Sequence, residues 1–508
     1  MKRTLQNPIL EDGNNMKIVL DTNILIHLED PKELSPNLQG LIKIFREYGH
    51  LIFIHPASVK DIKQDNDVQR KKVTLSKLDG YPRIESPLKP TKDFLSLVGS
   101  SSSTNDIHDN EILYAIQKNA ADFLITEDYR LHKKANRCDL DDRVLSIDSA
   151  LDYFKNLYER KVPKHALLKE DYVRNLDVDD PFFDLLKEDY GDYAFRDWFK
   201  RISIEGRKCW VYQEDSRIKT LLILKEENEP IETVLPIPAA KRLKIATLKV
   251  DLSGYKLGEL LLKMAFQYCV DNHIFEIYLT HFRKENDGLI HLIENYGFET
   301  VGFLKKNNEE VFIKKFIPTE KELPPVQMSK KYYPSFKDDQ KIKKFLIPIQ
   351  PEFHDLLFPD YENRQMKLTD YSEINAPGNA IKKAYLSYSR IKKMNAGDII
   401  LFYRSLDQKA VVSLGVVDQK PFHSDDLELI LRSVGKRSVY SHPELKQWTE
   451  KPVFVILFRH HLNLPNPLDI NFLHEHGIPV PQTISEINHN QYKAIKEGGE
   501  IDERFTVG

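Results

Sequence analysis

Four short apolar runs, separated by stretches with helical periodicity, constrain the fold of the first third of this 508-residue chain more than any other feature. The runs are KIVL (17–20), LIFI (51–54), FLIT (123–126) and VLSI (144–147). Uninterrupted apolar strands that alternate with helices are typical of a parallel sheet covered on both faces. We therefore predict an α/β fold for residues 16–158, and we expect Met16 as an alternative start site to Met1.

Acidic residues follow three of these runs. Asp21 comes directly after the first, Asp128 lies two residues after the third, and Asp61 lies early in the helix after the second. The segment TNDIHDNEILYAI (104–116) adds Asp106 and Asp109. Because ligands collect beyond the carboxyl ends of parallel strands, we expect these acids to meet at one edge of the sheet.

Helical geometry distinguishes the acids of residues 104–116. At about 100° per residue, Asp109 shares the face of the apolar residues in 112–116, Asp106 points nearly the same way, and Glu111 points towards solvent. A carboxylate directed at a core is unfavourable unless it is paired or binds a cation, and no Lys or Arg lies within one turn of Asp109. Helix capping by Asp106 is the alternative interpretation. We expect Asp148, after the fourth run, to be a structural cap.

An all-oxygen set of ligands favours Mg²⁺ or Mn²⁺ over zinc. Such a site suits attack of metal-activated water on a phosphodiester. The formal net charge of −3 provides no global reason for nucleic-acid binding, so the prediction depends on local sites. The predicted metal ligands are Asp21, Asp106, Asp109 and Asp128, and the predicted catalytic residues are Asp21, Asp61, Asp109 and Asp128.

The order of VLDTN, HPASVKD, HDNEILYAI and LITEDYRLHKKA resembles that of PIN-domain ribonucleases over about the first 150 residues. The resemblance implies a PIN-like parallel α/β/α sandwich that cleaves single-stranded RNA with one or two divalent ions. By position, it implies Asp21, Asp109 and Asp128 as metal-binding acids, with Thr22 or Asn23 bracing Asp21. Asp61 stands where the family usually has Glu.

The second region, residues 165–318, contains the predicted strands KCWVY, TLLILK and KIATLKV, the helix LGELLLKMAFQYCVDN and the strand FEIYLT. A loop that opens a helix presents backbone N–H groups and the positive end of the helix dipole, which together suit a pyrophosphate. Gly254 and Gly258 allow close approach of such a ligand to the backbone.

The segment FEIYLTHFRKENDGLIHLIENYGFETVGFLK resembles the closing motif of GNAT N-acetyltransferases, and the resemblance covers about residues 170–317. It implies an α+β fold that binds acetyl-CoA. Ser253 and Lys256 depart from the family's glycine-rich loop, and the family's general-acid Tyr falls at Ile293, nearly a turn from Tyr296. An active acyltransferase and a scaffold without catalysis both remain open. The implied cofactor contacts are Val250, Leu252, Gly254, Lys256, Leu257, Gly258 and Asn286.

The third region, residues 345–508, follows a predicted linker at 320–344 and is rich in strands. Its centre, AYLSYSRIKKMNAGDIILFYRSLDQKAVVSLGVVD, reads as a β-hairpin and resembles the ASCH branch of PUA-like β-barrels. Interleaved basic and aromatic residues suit phosphate contacts and base stacking. The alternative is that the Tyr residues are strand core and the Lys residues a solvated face. The candidate RNA-binding residues are Lys382, Lys383, Tyr388, Arg390, Lys393 and Arg404.

These three regions together predict an RNA-directed multidomain α/β enzyme: a metal-dependent endoribonuclease joined to an acetyl-CoA-dependent N-acetyltransferase, acting on RNA such as tRNA or on RNA-associated substrates. PIN and GNAT modules recur as toxins, which implies an antitoxin protein as a partner. One alternative is an acetyltransferase whose PIN and ASCH modules only bind, and another is an adaptor with both catalytic folds silent. Three widely spaced cysteines and the lack of an 18-residue apolar run predict a cytoplasmic protein without a membrane partner. The sequence leaves the oligomeric state open.

Overall fold

A computed structural model describes residues 15–29, 34–64, 67–99, 103–158, 168–251, 257–284, 287–361 and 380–508. These residues form a mixed α/β structure with a four-stranded parallel sheet, two larger mixed sheets and a two-stranded parallel sheet. None of the helices in these ranges is long and apolar enough to cross a membrane.

The first region contains the predicted parallel sheet. Its strands pair in the order β2-β1-β3-β4, and every pairing is parallel, which confirms the prediction from the apolar runs. The strands are β1 (Lys17–Leu20), β2 (Leu51–Phe53), β3 (Phe123–Ile125) and β4 (Val144–Leu145). The helices are α1 (Thr22–Glu29), α2 (Pro36–Glu47), α3 (Pro56–Lys63), α4 (Val68–Leu78), α5 (Lys92–Val98), α6 (Thr104–Gln117), α7 (Tyr129–Arg137) and α8 (Ile147–Tyr158).

Both faces of this sheet are buried. Ile18 and Leu20 enter one hydrophobic core, with side chains of α2 and α8, whereas Val19 enters a second core with side chains of α6 and α7. Because side chains alternate along a strand, an uninterrupted apolar run supplies both cores at once. The helices on the two faces therefore hold the carboxyl edge of the sheet in place.

The central region is a seven-stranded sheet in the order β10-β11-β9-β8-β7-β6-β5, in which only β8 and β9 pair in parallel. The strands are β5 (Lys169–Tyr172), β6 (Lys208–Glu214), β7 (Arg217–Glu227), β8 (Arg242–Val250), β9 (Glu276–His281), β10 (Glu299–Phe303) and β11 (Glu310–Lys315). The helices are α9 (Asp184–Tyr190), α10 (Asp192–Ile204), α11 (Leu257–Asp271) and α12 (Gly288–Glu294). Helix α11 buries its apolar residues against this sheet.

Residues 320–344, predicted as a linker, are a packed part of the fold. They form α13 (Pro325–Lys331) and β12 (Phe336–Lys337), which pairs with the C-terminal strand Thr506–Val507. Tyr333 and Phe336 are buried. The charged residues that suggested a linker flank Tyr333 and Phe336 in the sequence. Only the tertiary structure packs these two aromatic side chains into hydrophobic cores.

The third region forms an open sheet in the order β14-β18-β16-β15-β13-β19, with β17 also paired to β18. The described strands do not close on themselves, so the predicted closed barrel is not confirmed. The strands are β13 (Lys344–Ile349), β14 (Lys382–Ser387), β15 (Ile399–Arg404), β16 (Ala410–Val417), β17 (Phe422–Ser424), β18 (Val453–Asp469), β19 (Ser485–Ile487) and β20 (Thr506–Val507). The helices are α14 (Pro351–Leu357), α15 (Leu427–Val434), α16 (His442–Trp448), α17 (Ile470–Glu475) and α18 (His489–Gly498).

The first and third regions share one continuous hydrophobic core. Leu151 and Phe154 of α8 belong to the same core as Leu431 of α15 and Leu445 of α16. The hydroxyl of Tyr153 donates a hydrogen bond to the carbonyl oxygen of Leu431 at 3.2 Å. Although far apart in sequence, these regions are therefore joined by apolar packing.

Beside this shared core lies a buried set of ion pairs. The guanidinium group of Arg437 lies 2.7 Å from Asp142 and 2.8 Å from Asp418. Arg459 lies 3.1 Å from Asp418, and Lys382 pairs with Asp141. Asp142 and Asp141 belong to the first region and the other members to the third. We call this set the interface ion network: Asp141, Asp142, Lys382, Asp418, Arg437 and Arg459.

Candidate functional site

The carboxyl edge of the first sheet has a topological switch point between β1 and β3. The chain leaves β1 for β2 on one side and later returns to β3 on the other side. Asp21 follows β1 directly and Asp128 follows β3 closely, so both residues lie at this switch point. Open parallel sheets bind their ligands at such points.

Asp21 is held rigidly at this edge. Its backbone N–H donates to the carbonyl oxygen of Ile125 at 2.9 Å. Its carboxylate accepts hydrogen bonds from the Thr126 hydroxyl at 2.6 Å and from the Thr22 backbone N–H at 2.7 Å. Thr22 therefore contacts Asp21 through its backbone, and the Thr126 side chain is the brace. The side-chain oxygen of Asn23 is buried and accepts no hydrogen bond within the described ranges.

Asp61 approaches the same edge from α3. Its carboxylate is paired with the imidazole Nδ1 of His108, which lies on α6 and is buried. The Thr22 hydroxyl donates a weaker hydrogen bond to Asp61 at 3.4 Å. Sequence reasoning missed His108, although it stands beside the acids in the segment DIHDNE.

Asp106 and Asp109 share a cation that comes from a distant helix. The Nζ atom of Lys134, on α7, lies 3.0 Å from Asp106 Oδ1 and 3.7 Å from Asp109 Oδ2. The predicted capping role of Asp106 is wrong, because the cap of α6 is Ser103, whose hydroxyl accepts the backbone N–H of Asp106. Local sequence could not show Lys134 as the partner, since it lies 28 residues after Asp106.

Asp128 serves as the N-cap of α7. Its Oδ1 atom accepts the backbone N–H groups of Arg130 at 2.7 Å and Leu131 at 3.4 Å. The backbone N–H of Asp128 donates to the Thr126 hydroxyl at 3.0 Å. Thr126 thus connects Asp21 and Asp128. Asp148, predicted as a cap, instead accepts a hydrogen bond from the Asn37 side chain at 2.7 Å.

We call Asp21, Asp61, Asp106, Asp109 and Asp128 the acid cluster, and the pKa values of three of them, Asp21, Asp61 and Asp109, are raised. Burial raises the pKa of Asp21 to about 6; the hydrogen bonds from Thr126 and Thr22 act against this effect, and the nearby charges of Asp128 and Asp61 add to it. Burial raises the pKa of Asp109 to about 7, against the opposing effect of Lys134. Burial also raises the pKa of Asp61. Asp21, Asp61 and Asp109 therefore hold protons more tightly than free carboxyl groups do, and a positive charge beside them would favour their ionised forms.

The acid cluster is not preformed as a coordination shell. Among the residues that the structure describes, no group of three or more His, Cys, Asp or Glu side chains is arranged to hold a metal ion. The contacts above explain this, because each carboxylate already has a protein partner. These partners are Thr126, His108, Lys134 and the backbone at the start of α7. Metal binding at these acids would require exchange of at least some of these partners.

In the central region, β8 and β9 separate after a short parallel register. The register ends at Lys244 and Tyr278 after two residue pairs, whereas β8 continues along β7 to Val250. The carboxyl ends of the two strands are therefore not paired with each other, and β8 leads towards the start of α11. A gap of this kind presents backbone N–H and C=O groups to an extended amide-containing ligand.

The predicted cofactor residues are only partly described. Val250 is half-buried at the end of β8, and Leu257 is buried at the start of α11. A Cβ atom at Gly258 would lie 2.8 Å from the Leu292 side chain, so Gly258 allows close packing of α11 against α12. The following residues of the prediction lie outside the described residues: Leu252, Gly254, Lys256 and Asn286.

The general acid of an acetyltransferase remains unassigned. Ile293 is fully buried in the core beneath α12. Tyr296 is also buried; burial and the nearby Glu259 hold the pKa of its hydroxyl well above 10. A phenol in this environment stays protonated and packed.

A cavity of about 290 Å³ adjoins the start of α11 and is lined by residues of all three regions. Gly258 and His291 line it from the central region, His132 from α7, and Lys436 from the third region. The rings of His132 and His291 lie 4.7 Å apart. The start of α11 therefore faces residues that an isolated central domain would lack.

Two of the predicted RNA-binding residues are in the interior, which contradicts a role at the surface. Lys383 is 1% exposed and donates to the carbonyl oxygen of Leu357. Arg404 is 4% exposed and pairs with Asp355 and Asp407. In both cases the charge lies on a strand whose residues are almost all buried, a context that residue type alone cannot show.

Of the remaining RNA-binding candidates, Lys382 is paired with Asp141 in the interface ion network. Tyr388, Arg390 and Lys393 line an open groove together with residues 483–486. Arg390 and Lys393 are exposed, and Lys393 lies 2.8 Å from Glu486. The accessible part of the predicted basic and aromatic set is therefore this groove.

No protein-family model matches the sequence, and a search of curated proteins finds no match. Parts of the chain are similar in structure to ASCH from Zymomonas mobilis, at 14% identity over 31% of this chain and 96% of that chain (TM-score 0.24). Similarity also extends to the PaiA N-acetyltransferase from Thermoplasma acidophilum in complex with coenzyme A (18% identity, 26% of this chain, 75% of that chain, TM-score 0.19). A third similar structure is aminoglycoside 6'-acetyltransferase type Ii, at 15% identity over 29% of this chain and 97% of that chain (TM-score 0.21).

These identities and TM-scores are low, and they establish no activity for this chain. Structures similar to part of the chain thus include an ASCH protein and N-acetyltransferases. The resemblance of the first 150 residues to PIN-domain ribonucleases stays a prediction.

Proposed function

We propose that residues 16–158 form a Mg²⁺- or Mn²⁺-dependent endoribonuclease. The observation that carries this proposal is the convergence of Asp21, Asp61, Asp109 and Asp128 from four separate segments at the switch point of a parallel sheet. Burial raises the pKa values of three of these acids, Asp21, Asp61 and Asp109, so their ionised forms oppose folding and their presence together calls for a role beyond structure.

The donor set fits the proposed ion. Carboxylate oxygens are the ligands that Mg²⁺ and Mn²⁺ prefer, and the raised pKa values of Asp21 and Asp109 mark a place where additional positive charge is favourable. Asp21, Asp109 and Asp128 would hold the ion. When bound, such an ion supplies Lewis acidity and lowers the pKa of a bound water.

The chain's own residues supply orientation. Thr126 holds Asp21 and the backbone of Asp128 in one arrangement, and its hydroxyl is fully buried with the residue. His108 fixes the direction of the Asp61 carboxylate. Such locked rotamers keep acids at a defined separation, which a catalytic site requires.

Cleavage of total tRNA in the presence of Mn²⁺ tests this proposal. We expect Asp21→Asn to abolish cleavage and chelation of divalent ions to do the same. Asp148→Asn is the matched control, because this residue also follows a strand of the sheet but bonds to Asn37 outside the cluster. Cleavage that persists in Asp21→Asn would leave the second candidate function below as the better account.

The gap between β8 and β9 favours a second function, an acetyl-CoA-dependent N-acetyltransferase in residues 165–318. Extended ligands with amide groups, such as the pantetheine part of acetyl-CoA, suit backbone groups in a gap of this kind. The acceptor would be an amine on RNA or on an RNA-associated protein. The groove at Tyr388, Arg390 and Lys393 would contribute RNA binding, through phosphate contacts and stacking.

Calorimetry with acetyl-CoA tests the second function, with ATP as a control ligand that carries adenine and phosphates but no pantetheine. Binding of acetyl-CoA and not of ATP is expected. A lack of binding at millimolar acetyl-CoA would favour a scaffold. Acetyl-CoA binding without any RNA cleavage would instead favour the alternative in which the first and third regions only bind.

A further inference from the structure

Neither of the proposed activities uses the cavity of about 290 Å³ at the start of α11. We call it the junction cavity, because its walls come from all three regions. They include Glu127 and His132 from the first region, His291 from α12 and Lys436 from the third region. A cavity of this size suits a small ligand that is oriented by a few polar groups.

His132 supplies an acceptor atom to the junction cavity. The residue is 8% exposed, and its Nε2 atom lies 2.9 Å from the carbonyl oxygen of Thr126, which can only accept, so Nε2 carries the proton. Burial lowers the pKa of His132 to about 4, so at pH 7 the ring is neutral and Nδ1 is an acceptor. Nδ1 has no donor among the described residues. It is also not enclosed by protein, as the orphaned nitrogens of other buried histidines are, so it is open to the cavity.

His291 supplies a donor to the same cavity. The side-chain oxygen of Asn295 accepts a hydrogen bond from Asn136, so its amide nitrogen donates to His291 Nε2 at 3.3 Å. Burial lowers the pKa of His291 to about 3, so the ring is neutral and its single proton lies on Nδ1. The rings of His291 and His132 lie 4.7 Å apart. An acceptor and a donor therefore stand side by side on one wall.

Glu127 adds a second acceptor. Its Oε1 atom accepts the backbone N–H of Ile147 at 2.7 Å, whereas Oε2 accepts no hydrogen bond within the described ranges. Burial raises the pKa of Glu127, as expected for a carboxylate with few donors. The lining as a whole has the same bias, since six of its described side chains carry carboxyl groups and three are Lys or Arg. A ligand of this cavity should therefore present more donors than acceptors.

We propose that the junction cavity binds a guanine base. The pairing edge of guanine carries two adjacent donors, N1–H and N2–H, beside one acceptor, O6. The donors match His132 Nδ1 and Glu127 Oε2, and O6 matches the Nδ1–H group of His291. Adenine, cytosine and uracil each have a single donor group on this edge, so an acceptor of the base would face an acceptor of the protein. The inference depends on neither proposed activity, and ATP, an adenine nucleotide, should not bind here.

Titration calorimetry of the full chain with GMP tests the proposal. We expect one GMP per chain and about tenfold weaker binding of AMP, because a buried acceptor loses its donor. N1-methylguanosine monophosphate should bind about as weakly as AMP, since the methyl group replaces the N1–H donor. Equal affinities for GMP and its N1-methylated form would overturn the inference, and so would a lack of GMP binding at millimolar concentration.

Two variants test the protein side of the match. His132→Gln keeps an amide N–H for the Thr126 carbonyl group and removes the ring acceptor, and His291→Phe keeps a flat ring and removes the donor. Each should weaken GMP binding about tenfold. His474→Phe, at an exposed histidine on α17, is the control and should bind GMP as the unmodified chain does. Circular dichroism checks that each variant is folded, and unchanged GMP affinity in a folded His132→Gln or His291→Phe variant would contradict the proposal.

The guanine base could belong to a free nucleotide or to an unpaired nucleotide of RNA. Competition distinguishes these sources, with a single-stranded RNA that contains guanine and a uridine-only RNA of the same length. Displacement of GMP by the first RNA and not by the second would identify RNA as the source. Displacement by neither would identify the free nucleotide. Equal displacement by both would overturn the assignment to guanine.

Discussion

The acid cluster and the interface ion network both contain buried or half-buried aspartates, yet their environments shift the pKa values of those aspartates in opposite directions. Burial raises the pKa of Asp21 to about 6 and of Asp109 to about 7. Burial acts in the same sense on Asp141 and Asp418, but neighbouring Lys and Arg groups hold the pKa of both below the usual range. Burial alone therefore does not decide the direction in which the pKa of a carboxyl group shifts; the number of cations beside it does.

The balance of charge explains this contrast. The interface ion network has three acids and three cations, and its members join two regions of the chain. The acid cluster has five acids, one buried Lys and one His. Removal of one member of a balanced buried set leaves a charge without its partner, whereas an excess of acid would be relieved by an external cation.

The largest expected effect comes from breaking the balanced set. Arg437→Met leaves Asp142 and Asp418 buried without their shared partner, and we expect a loss of about 3–5 kcal/mol in the free energy of unfolding. Chemical denaturation monitored by circular dichroism measures it. Arg83→Met is the control, since its exposed pair with Asp79 at 2.9 Å should contribute less than about 1 kcal/mol. Equal losses would show that the network is no stronger than a surface pair.

Replacement of an aspartate by asparagine should change the free energy of unfolding in opposite directions in the acid cluster and in the interface ion network. Asp109→Asn removes a charge that the fold disfavours, so we expect a gain of about 1–3 kcal/mol at pH 8, together with loss of RNA cleavage. Asp141→Asn removes a charge that Lys382 and Arg437 favour, so stability should fall by a similar amount. Denaturation of both variants at the same pH measures this, and a shared sign would refute the contrast.

The pH dependence of stability should show the excess of acid. Asp21 and Asp109 bind protons more tightly in the folded chain than in the unfolded chain, so their unfavourable contribution is full above about pH 7 and disappears below about pH 4. Relative to the Asp21→Asn/Asp109→Asn double variant, the unmodified protein should gain about 1 kcal/mol between pH 7 and pH 6. Denaturation of both proteins at a series of pH values measures the difference. The same pH dependence in both would mean that Asp21 and Asp109 have ordinary pKa values in the folded chain.

The smallest effect on stability is expected at exposed charges. Arg390→Ala and Lys393→Ala should change the free energy of unfolding by less than about 0.5 kcal/mol, because both side chains are exposed. They should nevertheless weaken RNA binding and reduce its dependence on salt. Filter binding at two salt concentrations measures this, with Lys409→Ala as an exposed control on the β15–β16 turn. Equal weakening by the control would indicate a diffuse electrostatic attraction and no specific groove.

Patterns within short segments could be predicted from the sequence. Apolar runs determined the four parallel strands and their burial on both faces, because a strand that faces two cores has no polar side. Strand ends then placed Asp21 and Asp128 at one edge. Helical periodicity showed that Asp109 points towards a core and needs a cation.

Only the tertiary structure decided which cation lies beside Asp109 and where each acid points. Each partner comes from a different segment than the acid it contacts: Lys134 from a different helix than Asp106, His108 from a different helix than Asp61, and Thr126 from the end of a different strand than the one before Asp21. The burial of Lys383 and Arg404 and the shared core of the first and third regions have the same origin. Local sequence specifies which groups are present and how they repeat, whereas long-range packing decides which charges meet and whether water reaches them.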